Sequence, residues 1–412
     1  MLAYVVDAAR VATGRPPVVV YSPATAAVRE LFAGEAEFAL QDEPRGTGDA
    51  VRAGLPAVPA DAREVLVLSG DVPRVDPALI ADLLDARRLD AAVMTITAAE
   101  MFEPSGLGRV VRTAGGSVDR IVEEKDATEA EREIAEVNAG LYVFDAAWLR
   151  RRIGDLQPSP VSGELYLTDL VGLARVEGLP VTALSVEDDG RLAGINDRAQ
   201  LAQAEWDMRT ELNTAHMLAG VTMRDPSTVY IDATVELAAD VTLEPNVILR
   251  GRTRVGEGTI IGAGSQVVDS IIGRDCAVWA SVLEGAEVED DVRIGPFAHL
   301  RPGSSIGRGA ELGNFAEVKN SRLGRGVRQH HMSYLGDADV GAGTNVGAGT
   351  ITANYDGMKK HHTTIGEGVF LGVDTMLRAP VTVGDGARTG AGAVVTRDVP
   401  PGKLAVGVPA RI

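Results

Sequence analysis

The amino-acid sequence predicts two folded parts, an α/β domain in the first half and a parallel β-helix of hexapeptide units in the second. Three observations carry this. An aliphatic residue recurs every sixth position at Ile365, Leu371, Leu377 and Val383, weakens at Thr389 and returns at Val395, with Gly at the next position in most copies. Short apolar strands alternate with helical stretches up to residue 196. Between these regions, Leu201, Ala204, Met208 and Leu212 recur at helical spacing among charged residues. The expected divisions are residues 1–196, a connecting helix over 197–218, and stacked coils over 219–412.

The repeat is the strongest signal. Its phase appears earlier at Val255-Gly256, Ile261-Gly262, Ile272-Gly273, Ile294-Gly295, Ile306-Gly307 and Leu312-Gly313. A six-residue unit is one short strand plus a turn, too small to bury its own apolar side chain, so copies must stack to make a core. Such units build a prism with three flat faces and about eighteen residues per coil. The aliphatic residue points inward, and the following Gly is expected to turn the corner with positive φ. A heptad coiled coil is excluded because the step is six, and a leucine-rich repeat because it needs about twenty residues or more. The stack is expected to begin over Thr228–Leu249. Two stretches break the beat: Arg325–Tyr334 is polar and basic, and Thr352–Thr364 is an insertion. Insertions in repeat proteins project from one face and often carry the site.

In the first half, Met1–Thr13 reads as a helix, Pro17–Tyr21 as a buried strand, Ala24–Phe32 as a helix and Glu37–Leu40 as a short strand. Glu64–Leu68 is a strand ending in Ser-Gly-Asp-Val-Pro, and Asp76–Arg88 a helix. Ala91–Ile96, Arg109–Arg112 and Leu141–Phe144 are further strands. Such alternation implies a mostly parallel sheet with ligands at the carboxyl ends of its strands. A doubly wound nucleotide domain normally opens on a strand feeding a Gly-rich phosphate loop. This chain opens on a helix.

Composition excludes several classes. A formal net charge of −18 over 412 residues opposes non-specific binding to nucleic acid or to an anionic membrane. One cysteine, Cys276, rules out an internal disulfide framework and a cysteine-rich metal site; within a repeat it is expected to be a small buried side chain. No apolar run approaches the ~20 residues of a membrane span, and no cleavable signal is visible, so a cytoplasmic setting is expected.

At the breaks in the beat the residues resemble a known family. IGPFAHLRPG, ELGNFAEVKNSRLG, HMSYLGDADVG, NVGAGTITANYDG and VFLGVDTMLRAPVTVG in the second half carry the resemblance, as do LQDEPRGTGDAV, LVLSGDVP, GLGRVV, VEEKDATEAE, EVNAGLYVF, GELYLTDL and GINDRAQL in the first. They resemble the bacterial bifunctional N-acetylglucosamine-1-phosphate uridylyltransferases/glucosamine-1-phosphate acetyltransferases over nearly the whole chain. The resemblance implies a Rossmann-like nucleotidyltransferase domain followed by a left-handed β-helix, assembled as a homotrimer. It also implies a place in making the activated amino sugar that feeds peptidoglycan and lipopolysaccharide.

For acetyl transfer from acetyl-CoA, the attacking 2-amine must be neutral, so a general base is wanted. The resemblance places that role on His331, with His330 beside it as the runner-up; strand alternation points such neighbours to opposite sides. Arg301 and Lys319 match phosphate-binding cations, and Tyr334 and Asn345 match positions that hold the sugar. Lys360 matches a position reaching the neighbouring subunit's sugar site. Ala348, Asn354, Tyr355, Val373 and Ala391 match acetyl-CoA contacts, with Val373 replacing a small polar residue. The chain ends GKLAVGVPARI, where the family continues past a CoA-contacting basic residue; Arg411 is the candidate substitute.

For uridylyl transfer from UTP, Mg²⁺ is wanted on the phosphates, and hard oxygen donors suit it. The resemblance puts the metal on Asp71 and Asn196, and counts Ser69 and Gly70, next to Asp71, among the substrate-binding residues of this site. Gln41, Gly46 and Thr47 match uracil contacts, and Gly108, Glu123 and Asn138 match N-acetylglucosamine contacts. The family's G-x-G-T-R-M loop and its following Lys would lie before Met1. A chain starting at Met1 is therefore expected to acetylate but barely uridylylate, since each lost phosphate contact is worth on the order of 3 kcal/mol in the transition state. Two rival readings are a sugar-phosphate nucleotidyltransferase with a purely structural β-helix, and a non-catalytic trimeric scaffold. Replacing His331 separates the first, and an assay of CoA thiol release the second.

Overall fold

A computed structural model describes residues 1–101, 104–187 and 190–412, which form two compact units, Met1–Ala204 and Glu205–Ile412.

The first unit opens on the helix Leu2–Thr13, which buries Val5, Val6, Ala8 and Ala9 and stops at Gly14 in a left-handed conformation, φ 67°. Val18–Tyr21 and Glu37–Leu40 pair in parallel as a separate two-stranded sheet, and the former is half-buried rather than buried. The helix expected over Ala24–Phe32 is only a 3₁₀ turn, Pro23–Thr25, and one helical turn, Val28–Leu31. The capping box between Ser22 and Thr25 starts a turn there, and the segment buries no residue that would support a longer helix. Asp76 caps the helix Pro77–Leu89 by accepting from the Ala78 N–H at 2.8 Å.

The main sheet overturns the expectation of mostly parallel pairing. Its spine is the ten-residue strand Glu136–Asp145, of which Leu141–Phe144 is only a part. Glu64–Val67, Met94–Glu100 and Arg109–Arg112 all pair with it antiparallel. Arg109–Arg112 also forms a hairpin with Val118–Val122. Only Val181–Val186, absent from the sequence reading, adds in parallel, on Met94–Glu100. The expected start of the latter at Ala91 is displaced because Ala91 adopts φ 45°, a turn conformation. One long strand with hydrogen-bonding groups on both edges gathers partners whatever their direction, and a hairpin needs only a tight turn.

The helix Arg198–Leu218 ends in the second unit, where Leu212 and Met217 pack on the coil core. Asn213 Nδ2 donates to the carbonyls of Pro226 and Val229, at 2.9 and 3.1 Å. The coils then form three parallel sheets of ten, nine and eleven strands, the architecture that fits a left-handed parallel β-helix. They begin at Thr222–Met223, one strand earlier than expected. Tyr230 pairs with Ile248, an eighteen-residue coil, whereas Ala338 pairs with Thr363, so the insertion lengthens one coil and leaves the stack intact. Ile261, Leu283, Leu300, Leu335, Leu371 and Val383 line the core at 0% exposure. Thr389, where the beat weakens, is buried with its hydroxyl 2.7 Å from that of Thr375. Cys276 is buried, and burial pushes its thiol pKa up.

The structure corrects the role assigned to the glycines. Gly after the aliphatic residue mostly lacks positive φ; two positions further on, Gly258, Gly264, Gly349 and Gly392, or aspartates such as Asp275 and Asp291, carry it. The first glycine is needed for closeness instead. A Cβ on Gly347 would lie 2.6 Å from the Gly372 carbonyl carbon of the next coil, nearer than any real Cβ sits.

Candidate active sites

On the ten-stranded face, side chains alternate in and out. Ala316 and Val318 are buried while Glu317 and Lys319 face out, and Arg301 and Tyr334 are half-exposed beside them. Arg301 Nη1 donates to Glu317 Oε1 at 3.0 Å. Glu317 pairs in register with Tyr334, and Lys319 with Gly336. The Tyr334 ring folds over Gly336, where a Cβ would overlap its hydroxyl. At the far end of this face the cations cluster. Lys360 first, and then Arg301, push the Lys319 pKa down. Lys360 lies near Lys319 within its own chain, where the insertion folds back as a hairpin in which Tyr355 bridges Lys360.

The insertion leaves from the same end. Asn354 is buried, and its Nδ2 donates to Asp337 Oδ2 at 2.5 Å; Asn320 Nδ2 donates to the other oxygen at 2.6 Å. Asp337 was missed from sequence. Its only signal is position, as a left-handed corner residue, φ 49°, directly below the insertion.

His331 lies at the opposite end of the face, in the turn from Arg328–Gln329 to Ser333–Gly336. The turns above it stack: Gly349 N–H donates to the Met332 carbonyl at 2.6 Å, Asp374 to Ala348 at 2.7 Å, and Gly392 to Val373 at 2.8 Å. Ala348, Val373 and Ala391 therefore share one corner column with His331, with Val373 and Ala391 exposed. The two adjacent imidazoles differ. His330 Nε2 is 2.7 Å from Glu311 Oε2, while the His331 ring has no hydrogen-bond partner among the described residues, only the edge of His330 at 6.5 Å. Asn345 sits on the eleven-stranded face, between Arg328 and Phe370 in register. Within one chain, then, the acetyltransfer residues divide. His331 and three of the acetyl-CoA candidates hold one corner, and Arg301, Lys319, Lys360, Asn354 and Tyr355 hold the other. The three to four residues of a strand between them span roughly 10 Å.

In the first unit, the segment carrying Gln41, Gly46 and Thr47 is pinned to Leu165–Thr168. Gly48 N–H donates to the Leu165 carbonyl at 2.8 Å, Leu165 N–H to Arg45 at 2.7 Å, and Leu167 N–H to Thr47 Oγ1 at 3.0 Å. Gly46 has φ 104°, and a Cβ there would be 2.6 Å from the Leu165 oxygen. Gln41 Nε2 donates to Asp49 at 2.9 Å and to the Gly46 carbonyl at 3.3 Å. Thr168 Oγ1 donates to Glu123 at 2.7 Å; burial raises the Glu123 pKa, with Asp169, Asp126 and Glu164 adding to the effect. Asn138 N–H donates to the Gly108 carbonyl at 2.8 Å, and Asn138 Nδ2 to the Tyr142 hydroxyl at 2.6 Å. The structure so brings Gly108, just before Arg109–Arg112, and Glu123, just after Val118–Val122, beside Asn138 on the strand Glu136–Asp145. Arg109, buried and paired with Glu124 at 2.7 Å, braces these strands and was missed, since an arginine inside GLGRVV reads as solvated.

Asp71 follows the strand Glu64–Val67, in a turn closed by Val72 N–H on the Ser69 carbonyl at 3.3 Å. Gly70 is exposed in that turn, and Ser69 Oγ lies 3.5 Å from where a Gly140 Cβ would sit. Asp71 and Asn196 meet over Gly194, whose Cβ would lie 3.1 Å from Asp71 Oδ2 and 3.8 Å from Asn196 Nδ2. No group of three His, Cys, Asp or Glu that could hold a metal occurs among the described residues. One carboxylate and one amide oxygen nevertheless fit Mg²⁺, which keeps most of its waters and takes further ligands from phosphates.

Comparison with known proteins follows the same division. The MobA-like NTP transferase domain matches residues 1–136, and the bacterial transferase hexapeptide (six repeats) matches 285–320 and 362–397. The chain is 44% identical to the "Bifunctional protein GlmU" of Pelobacter propionicus over 409 residues, 98% of this chain and 89% of the relative. It is 44% identical to that of Mycobacterium bovis and 45% identical to that of Mycobacterium avium, each over 371 residues and 90% of this chain, covering 75% and 76% of the relatives.

Proposed function

Because the chain belongs to the bifunctional GlmU family, we propose the following assignment of its two reactions to its two units. It is a transferase of UDP-N-acetylglucosamine synthesis. The β-helix moves acetyl from acetyl-CoA to the 2-amine of glucosamine 1-phosphate, and the first unit joins UTP to N-acetylglucosamine 1-phosphate with release of pyrophosphate.

One observation carries the acetyl-transfer assignment: His331 has an uncommitted ring at the foot of the column that holds Ala348, Val373 and Ala391. His331 takes the proton from the 2-amine as nitrogen attacks the thioester carbonyl; the C–S bond breaks and CoA leaves as the thiol. Arg301, Lys319 and Lys360 bind the sugar phosphate, and Tyr334 and Asn345 hold the ring. The divided residue set supports a homotrimer, in which the corner of one chain completes the site begun by another. In the first unit, Asp71 and Asn196 would hold Mg²⁺, which neutralises charge on the triphosphate. The segment around Gln41, Gly46 and Thr47 receives the uracil, and Gly108, Glu123 and Asn138 receive the sugar. A cytoplasmic setting agrees with the absence, among the described residues, of a helix long and apolar enough to cross a membrane.

The test is acetyl-CoA-dependent release of free thiol with glucosamine 1-phosphate, assayed separately from pyrophosphate release with UTP and N-acetylglucosamine 1-phosphate. Wild-type protein that releases no thiol in the first assay would refute the acetyl-transfer assignment.

A further inference from the structure

The insertion between Ile351–Ala353 and Thr363–Ile365 has no apolar core, since Met358 is 92% and Tyr355 61% exposed. Its shape is gathered on one carboxylate instead. Asp356 Oδ1 accepts the backbone N–H groups of Met358 and Lys359, both at 2.8 Å, and Oδ2 lies 2.7 Å from His361 Nε2. The Asp356 N–H donates to the Lys359 carbonyl at 3.2 Å, and the Tyr355 hydroxyl donates to Gly357 at 2.7 Å. These contacts leave Lys360 flanked by Lys359 and His361, both tied to the same carboxylate. The feet of the loop are fastened separately, Asn354 on Asp337 and His362 Nε2 3.1 Å from Asp339.

Lys360 needs such a brace. It approaches Lys319 and Arg301, two cations that repel it until a phosphate arrives. A nine-residue polar loop left to itself would move its ammonium away into water. Building on the acetyl-transfer reading, we propose that Asp356 and His361 are positioning residues that hold Lys360 at the phosphate site before the sugar phosphate binds. Their contribution is preorganisation: without the brace, the binding-competent loop is a minor population, and apparent affinity falls by that fraction.

Asp356→Ala and His361→Gln are the variants to make, each also in a Lys360→Ala background. The expected result for each alone is a KM for glucosamine 1-phosphate raised about tenfold, with kcat and the KM for acetyl-CoA within about twofold of wild type. Thermal stability should stay unchanged, because the feet of the loop keep their own anchors. In the Lys360→Ala background the same changes should add nothing. A full further loss in that background, a fall in kcat together with both KM values, or an unchanged KM would each overturn the proposal. Calorimetric affinity for glucosamine 1-phosphate repeats the comparison without turnover. Wild-type binding with no thiol release would therefore sink the acetyl-transfer reading while still deciding whether the brace exists.

Discussion

His330 Nε2 lies 2.7 Å from Glu311 Oε2, on the coil below. The contact engages one of two adjacent imidazoles with a carboxylate, and the other has no hydrogen-bond partner among the described residues. A general base needs an open nitrogen within reach of the substrate. His331→Ala is expected to lower kcat for acetyl transfer by roughly 10²–10⁴-fold. His330→Ala should retain activity within a few-fold of wild type. Thiol release measured on both variants checks the pair, and equal losses would contradict the division of roles.

Lys319 carries a pH signature. Its ammonium is pushed below the usual lysine pKa by Lys360 and Arg301. As pH rises through that lowered value, Lys319 becomes neutral and the site loses a charge, so affinity for the sugar phosphate should fall earlier than an ordinary lysine allows. Lys360→Ala removes the main cause and should move the fall to higher pH. For stability the sign is opposite. The unfolded chain holds this proton longer than the folded one, so between the lowered and the ordinary pKa this group makes folding more favourable as pH rises. KM for glucosamine 1-phosphate across an alkaline pH series tests the first statement, and denaturation midpoints test the second.

Gly336→Ala should disturb the sugar site and spare the coil. The added methyl would overlap the Tyr334 hydroxyl, the far end of a side chain that can swing away. The ring then leaves its place beside Glu317. Misplacement of about 1 Å at a positioning residue can cost on the order of 10²-fold in kcat/KM. Steady-state kinetics alongside circular dichroism distinguish this from a folding defect.

Leu283→Ala is the converse case. Leu283 has 0% exposure, in a coil well below His331. Removing it leaves a cavity and should cost about 2–5 kcal/mol. The denaturant midpoint of the coils should drop, while turnover at low temperature stays near wild type.

Much was legible locally because much is local. The six-residue beat names the inward side chains, since each unit is one strand and one turn, and Ile261 and Leu371 are buried where the period puts them. The Thr352–Thr364 insertion announced itself by breaking that beat. Ordered motifs named candidate residues, and the structure brings Asp71 together with Asn196 and stacks Ala348, Val373 and Ala391.

Other features depend on residues distant in sequence. The antiparallel main sheet follows from what pairs with Glu136–Asp145, a choice made by residues as far apart as Glu64 and Asp145. Close stacking, not φ, is why Gly347 must lack a side chain, and that appears only when the next coil is laid against it. The difference between the two imidazoles rests on Glu311 meeting His330, nineteen residues away in sequence and one coil away in space. Periodicity fixes which way a side chain points because backbone geometry repeats over a few residues. Which partner it meets is decided by register between strands, and register exists only once the chain has folded.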